Sequence, residues 1–225
     1  MSVPPHAVQL NEANDFLKKH PEVQFVDLLI ADMNGVVRGK RIERASLHKV
    51  YQRGINLPAS LFALDINGST VESTGLGLDI GDSDRVCYPI PNTLSNEPWQ
   101  KRPTAQLLMT MHEMEGEAFF ADPRAVLQKV VDKFSALGLT ICAAFELEFY
   151  LIDQANVNGR PQPPLSPLSG KRPQSTQVYM IDDLDEYAEC LQDILEGAKE
   201  QGIPADAVVK ESAPAQFEIN LHHVA

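Results

Sequence analysis

The first apolar run of the chain, Phe25-Val26-Asp27-Leu28-Leu29-Ile30-Ala31-Asp32, is rich in β-forming residues. Met33-Asn34-Gly35 follows, and Asn-Gly is the strongest short hairpin signal, so Val36-Val37-Arg38-Gly39-Lys40-Arg41 is predicted as the return strand. Residues 11–19 (NEANDFLKK) predict a short helix with Asn11 as a cap, and residues 44–53 a second helix ended by Gly54. Residues 57–103 are rich in glycine and proline and read as loops, and Gly75-Leu76-Gly77 lacks the spacing of a phosphate loop. Residues 106–112 (QLLMTMH) predict a strand. Asp122-Pro123-Arg124 opens a helix with Asp as cap and Pro in the first turn; apolar residues recur at helical spacing to Leu137, and Gly138 stops it. Residues 139–152 are mostly apolar and predict a buried strand or a pair of strands. A polar, proline-rich exposed loop is expected over 154–175, a strand over 175–181, a long amphipathic helix over 184–201 before Gly202, and a final strand within 210–221. Helices and strands are interspersed with hairpin signals, so the pattern favours an α+β fold with antiparallel sheets over a doubly wound parallel one.

Composition narrows the partners. Apolar residues make up 44% of 225, enough to bury a core in one large or two smaller domains. A net charge of −12 repels phosphate backbones and excludes nucleic acid as an expected partner. The same acidity suits carboxylate–metal chemistry, because a bound cation offsets clustered acids. Cys87, Cys142 and Cys190 are scattered with no CxxC pair, which reads as reduced thiols in a cytoplasmic protein. No apolar run approaches the roughly 20 residues of a membrane span, and Met1-Ser2-Val3-Pro4-Pro5-His6 does not read as a leader. The chain stops at Leu221-His222-His223-Val224-Ala225 without a cap or polar tail, the pattern expected of a piece of a longer polypeptide.

The candidate chemistry lies in four glutamates. In Ala144-Phe145-Glu146-Leu147-Glu148-Phe149-Tyr150-Leu151, residues two apart share a strand face, so Glu146 and Glu148 sit side by side and Phe145, Leu147 and Phe149 face the opposite way. Two neighbouring carboxylates in a buried strand repel and lose hydration, at a cost of several kcal/mol each unless paired. A divalent cation such as Mg²⁺ or Mn²⁺ removes that cost. A solvated strand face with two exposed acids gives the same alternation. The second pair lies in Glu211-Ser212-Ala213-Pro214-Ala215-Gln216-Phe217-Glu218-Ile219-Asn220-Leu221: one acid before a proline turn, one in an apolar strand. Glu218 and Asn220 share a face there. Carboxylates entering one sheet at separate places are either metal ligands or unrelated acids.

Taken together these motifs resemble the glutamine synthetase family. Glu146-Leu147-Glu148-Phe149 looks like its E-x-E-F metal strand, and the run from Glu211 to Glu218 like its E-x-x-P-G-Q-x-E turn and strand. Val26-Asp27-Leu28, Asp32-Met33-Asn34-Gly35 and Arg38-Gly39-Lys40 are similar to the family's N-terminal β-grasp domain; Asp122-Pro123-Arg124 matches the opening of its catalytic domain. The resemblance covers residues 20–225 and implies a β-grasp domain over 1–112 and the first part of an antiparallel-sheet catalytic domain over 113–225.

The resemblance implies an ATP-dependent ligase. The γ-carboxylate of glutamate attacks the terminal phosphate of ATP, and an amine then attacks the γ-glutamyl phosphate. By position, Glu148, Glu211 and Glu218 hold one Mg²⁺ (or Mn²⁺), and Glu146 helps hold a second that binds the ATP phosphates. Glu211 and Tyr179 stand at the catalytic positions; Tyr179 falls beside the ammonium pocket of the family, and it also reads as a strand aromatic packed in the core. The family assembles as two stacked rings, commonly six subunits to a ring, so a homo-oligomeric dodecamer is implied for a full-length protein.

Three departures refine this. Where ammonia-using members carry G-x-x-F-D-G-S-S with an ammonium-binding Asp, this chain reads Gly54-Ile55-Asn56-Leu57-Pro58-Ala59-Ser60-Leu61. Pro58 in place of that acid, with Leu57-Pro58-Ala59-Ser60-Leu61-Phe62-Ala63-Leu64-Asp65, resembles the γ-glutamylputrescine ligase branch and implies a polyamine substrate. Asp65 reads either as a counter-charge for the far ammonium of a diamine or as a loop cap. Glutamine synthetase itself and a non-catalytic scaffold or regulator are the alternatives. Ala215 replaces the usual Gly; if that position needs a positive φ, Ala costs around 1 kcal/mol there. Finally, the family continues for about as many residues again, which supply a metal-binding His and Glu and the phosphate-clamping arginines, so this chain is expected to be inactive alone. His222 and His223 follow the Glu218 strand too closely to stand in for that His and read as a strand-end pair.

Overall fold

The computed structural model describes residues 10–224; residues 1–6, read above for a leader, lie outside them. The chain divides into two compact units, Met1–Leu139 and Thr140–Ala225. The fold class is α+β, as the interspersed pattern predicts.

The first unit contains α1 (Leu10–Lys19), β1 (Phe25–Ala31), β2 (Val37–Glu43), α2 (Leu47–Arg53), β3 (Ile55–Pro58), β4 (Asp84–Pro89), β5 (Ser95–Asn96), β6 (Thr104–His112) and α3 (Pro123–Ala136). Its sheet runs β2-β1-β6-β4-β3, with β5 also on β6. The sheet is mixed: β1 and β6 pair parallel and the other pairs are antiparallel, a correction to the all-antiparallel expectation. Alternation builds the core. Val26, Leu28 and Ile30 of β1 and Ala105, Leu107, Met109 and Met111 of β6 are buried on one face. Ala13 and Leu17 of α1 and Leu47, Val50 and Tyr51 of α2 pack into the same core.

The expected β1–β2 hairpin forms, in register from Phe25↔Glu43 to Ala31↔Val37. Its connection is organised by a buried acid rather than by Asn-Gly alone. Asp32 Oδ1 accepts from the Asn34 and Val36 amides at 2.8 and 2.9 Å, and Oδ2 pairs with Arg38 at 2.9 Å. Gly39 has φ 151°, and a Cβ there would fall 1.7 Å from the Leu28 carbonyl oxygen, so β2 needs glycine at this point. The predicted cap of α3 is present: Asp122 accepts from Arg124 N at 2.8 Å. Its other oxygen accepts from Met111 N at 2.8 Å and Thr110 Oγ1 at 3.0 Å, tying the helix start to β6.

The second unit contains β7 (Glu146–Tyr150), α4 (Asp182–Asp185), α5 (Ala188–Glu200), β8 (Ala205–Lys210) and β9 (Gln216–Leu221). Its antiparallel sheet has the order β7-β9-β8. The core is small: Tyr187, Leu191, Ala215 and Phe217, flanked by Phe149, Leu151, Leu184 and Val208. Three expectations are corrected. Residues 139–152 do not form a buried strand; only Glu146–Tyr150 is strand, and Phe145 and Leu147 are 69% and 53% exposed. The reason is position, since among the described residues β7 is the edge of a three-stranded sheet and pairs with β9 alone. Residues 175–181 form no strand, because Tyr179 adopts φ 62°, incompatible with extended backbone. The helix expected over 184–201 is split into α4 and α5.

Candidate functional site

The register of β7 on β9 decides where the carboxylates go. Glu148 lies directly opposite Glu218, and Glu146 opposite Asn220. With period two, Glu146, Glu148, Glu218, Asn220, Gln216 and Tyr150 share one face, and Leu147, Phe149, Phe217 and Ile219 share the other. The apolar face carries the core, with Phe217 and Ile219 buried. Like charges directly opposite across an antiparallel pair are destabilising. Two amide side chains meet them: Gln216 Nε2 donates to Glu148 Oε1, and Asn220 Nδ2 donates to Glu218 Oε1 at 2.7 Å.

Glu211 enters from the turn between β8 and β9. Its N–H donates to the Gln216 carbonyl at 2.9 Å, and Gln216 N–H donates to the Ala213 carbonyl at 3.1 Å. Gln216 Oε1 accepts from Ala213 N at 2.7 Å, so one amide side chain bridges the turn and Glu148. Ala215 has φ 54°, the left-handed conformation that Gly adopts without cost, and its methyl is buried. Beneath the turn, Lys210 is 1% exposed, its Nζ donating to the Glu211 and Ala213 carbonyls and lying 3.8 Å from Asp183 Oδ2.

The backbone therefore brings Glu146, Glu148 and Glu218 to one face, with Glu211 on the adjoining turn. It does not bring them into a closed shell: among the described residues, no three His, Cys, Asp or Glu side chains are grouped closely enough to hold an ion. The donor set is all oxygen, drawn from two strands and a turn. That chemistry, with two acids facing each other, fits a hard divalent cation.

Tyr179 is 70% exposed, which excludes the packed-core reading of this residue. Its N–H donates to the Lys210 carbonyl at 2.9 Å, placing its backbone beside the Glu211 turn. A bulky residue at positive φ is a strained feature of about 1–3 kcal/mol. His222 pairs with Asp206 at 3.0 Å beside the end of β9, in keeping with a strand-end role. Asp65 Oδ1 accepts from the Asn67 and Ser69 amides at 2.8 and 2.9 Å, a loop cap. Pro58 closes β3 opposite Asp84 and leads into the buried turn Ala59–Ala63, which Asn34 Nδ2 reaches through the Leu64 carbonyl at 2.8 Å.

Sequence reasoning missed Lys210 and Gln216. A signal existed for each. Gln216 is two residues before Glu218, hence on the carboxylate face. Lys210 is two residues after Val208, hence on the apolar face, where a lysine needs a specific reason.

Residues 120–225 match the family described as glutamine synthetase, catalytic domain. The chain is 43% identical over 213 residues to gamma-glutamylputrescine synthetase PuuA of Escherichia coli (strain K12), covering 94% of this chain and 45% of that protein. It is 28% identical over 219 residues to a glutamate–isopropylamine ligase of a Pseudomonas species, covering 96% and 46%. A solved structure described as a novel glutamine synthase homolog matches with TM-score 0.75 at 20% identity, covering 90% of this chain and 44% of the other, a likeness of fold. The chain spans about half the length of the curated relatives it matches.

Proposed function

Because the chain belongs to the glutamine synthetase family, we propose that it forms part of an ATP-dependent ligase that joins the γ-carboxylate of glutamate to an alkylamine, putrescine or a related polyamine. The observation that carries this reading is the carboxylate face, with Glu148 opposite Glu218, Glu146 beside them and Glu211 on the turn. In this reading residues 1–112 are the β-grasp domain and residues 113–225 the opening of the catalytic domain. Glu148, Glu211 and Glu218 hold one Mg²⁺ or Mn²⁺, and Glu146 helps hold a second. The cations supply neutralisation of phosphate charge.

The reaction balances as two displacements. A γ-carboxylate oxygen attacks the terminal phosphorus of ATP and ADP leaves. The amine lone pair then attacks the acyl carbon, the carbon–oxygen bond to phosphate breaks, and the nitrogen loses a proton. The residues of this chain orient the acidic ligands: Gln216 fixes Glu148, and Asn220 fixes Glu218. Tyr179, exposed and held beside the Glu211 turn, is assigned to the amine side.

Two observations favour an alkylamine over ammonia. Pro58 supplies no carboxylate at the position discussed above. Two relatives are named for alkylamine products or substrates. The chain alone is proposed to be inactive, and the active protein to be a ring-forming homo-oligomer. The test is ADP release with putrescine, isopropylamine and ammonia, by the chain alone and by the chain joined to the C-terminal half of the E. coli relative. Turnover by the joined protein with putrescine above ammonia is expected; preference for ammonia would sink the polyamine assignment.

A further inference from the structure

A lysine on the apolar face of a sheet is out of place. Lys210 pairs with Phe217 in the β8–β9 ladder, so its side chain lies on the same side as the core residue Phe217, opposite Glu148 and Glu218. It is 1% exposed. Burying an ammonium costs several kcal/mol unless it is paired and hydrogen-bonded. Stability alone gives no reason to keep it, because an apolar residue of similar volume is commonly neutral or better at such a site.

Its contacts give a reason. Nζ donates to the carbonyls of Glu211 and Ala213, and Asp183 lies 3.8 Å away. The backbone carbonyl of the same residue accepts from Tyr179 N at 2.9 Å. Ala213 is thus held on both sides: its carbonyl by Lys210, its N–H by Gln216 Oε1 at 2.7 Å. Gln216 passes the position on, because its Nε2 donates to Glu148 Oε1. A continuous path runs from Lys210 through Ala213 and Gln216 to Glu148, with Glu211 at its first step. The turn it supports contains Ala215 in a left-handed conformation, which local preference does not hold.

We propose that Lys210 is a positioning residue for the carboxylate face: it fixes the Glu211–Gln216 turn from the core side and, through Gln216, sets the orientation of Glu148. This rests on the reading of Glu148, Glu211 and Glu218 as ligands of one cation. Outer partners of metal ligands commonly change affinity 10–100-fold when removed.

The test uses the 225-residue chain and two readouts. Mn²⁺ affinity is measured by electron paramagnetic resonance for wild type, K210M, Q216L and K210M/Q216L, with E148Q and E211Q as controls. Amide exchange is followed at Glu211 and Gln216. K210M is expected to weaken Mn²⁺ about ten-fold. It should also speed exchange at those two amides while the β7–β9 ladder stays protected. In the Q216L background the K210M effect on Mn²⁺ should shrink, because the branch to Glu148 is already cut and only the direct contact with the Glu211 carbonyl remains; K210R should restore part of the affinity. If K210M alone does not fold, K210M/D183N, which removes the orphaned carboxylate, replaces it. Full additivity of K210M and Q216L, or unchanged exchange at Glu211 and Gln216, overturns the proposal. If E148Q and E211Q leave Mn²⁺ binding unchanged, the metal reading falls and the positioning role toward it falls too, while accelerated exchange in K210M would then mark Lys210 as support for the turn alone.

Discussion

Strands β1 and β6 in the first unit and β7 in the second all lie in mostly apolar stretches of the chain, yet they end in opposite situations. β1 and β6 lie inside a five-strand path, and alternate residues of each are buried beneath α1 and α2. β7 is an edge strand, and Phe145 and Leu147 remain exposed while only Phe149 packs against a small core. The contrast teaches that periodicity reports which residues share a face, and that neighbours decide whether that face is covered. In the second unit the polar face is the better organised one, since Gln216 and Asn220 each bond a carboxylate there.

The comparison can be broken most strongly at Phe217. It is fully buried, and its truncation to Ala removes a large aromatic side chain from a small core. A loss of about 3–5 kcal/mol is expected. Amide exchange should show protection lost across β8 and β9 well before β1 and β6; equal loss in all four strands would contradict the division into two cores.

Gly39→Ala tests the first unit. The new Cβ would meet the Leu28 carbonyl at 1.7 Å, so the β1–β2 ladder must shift. A destabilisation of about 3 kcal/mol in urea titration is expected, the upper end of overpacking costs. Loss below about 0.5 kcal/mol would show that the hairpin tolerates the bulk.

Asp32 gives the first unit a pH dependence. Burial pushes its carboxyl upward, but hydrogen bonds from Arg38, Val36 and Asn34 together with the Arg38 charge hold it below the usual carboxylate range. A depressed folded value stabilises the fold above the unfolded value of about 3.9, and that stabilisation fades as pH falls through the folded value. Asp32→Asn should therefore cost about 1–3 kcal/mol near pH 7. The gap between variant and wild type should begin to narrow below about pH 4 and keep shrinking as pH falls through the depressed folded value. A gap constant down to pH 2 would show that the carboxylate charge is irrelevant.

The smallest effect is expected at Ala215. Its φ of 54° favours glycine, so Ala215→Gly should stabilise by about 0.5 kcal/mol, the left-handed strain relieved less the added freedom of the unfolded chain. A destabilisation above 1 kcal/mol in thermal unfolding would show that the buried methyl outweighs the strain.

Much of this was legible beforehand, for local reasons. The cap Asp122, the stop at Gly138 and the β1–β2 hairpin follow from side-chain and backbone preferences acting within a few residues. The shared face of Glu146 and Glu148 follows from strand period alone. What was not legible depends on partners distant in sequence. The parallel pairing of β1 with β6 joins residues far apart in the chain. The Glu148–Glu218 opposition requires a register that neither strand states by itself. The strand expected over 175–181 failed because Tyr179 turns left-handed and bonds to Lys210, a contact that leaves no local trace. Lys210 was visible as a charge beside Val208 and Val209, but its meaning lies in the carbonyls of a turn.

The most direct measurement is Mn²⁺ titration of the chain followed by electron paramagnetic resonance, for wild type, Glu148→Ala and Glu211→Ala. The account predicts that wild type binds the ion and that each substitution weakens binding at least ten-fold. Binding that survives both substitutions undiminished would contradict it.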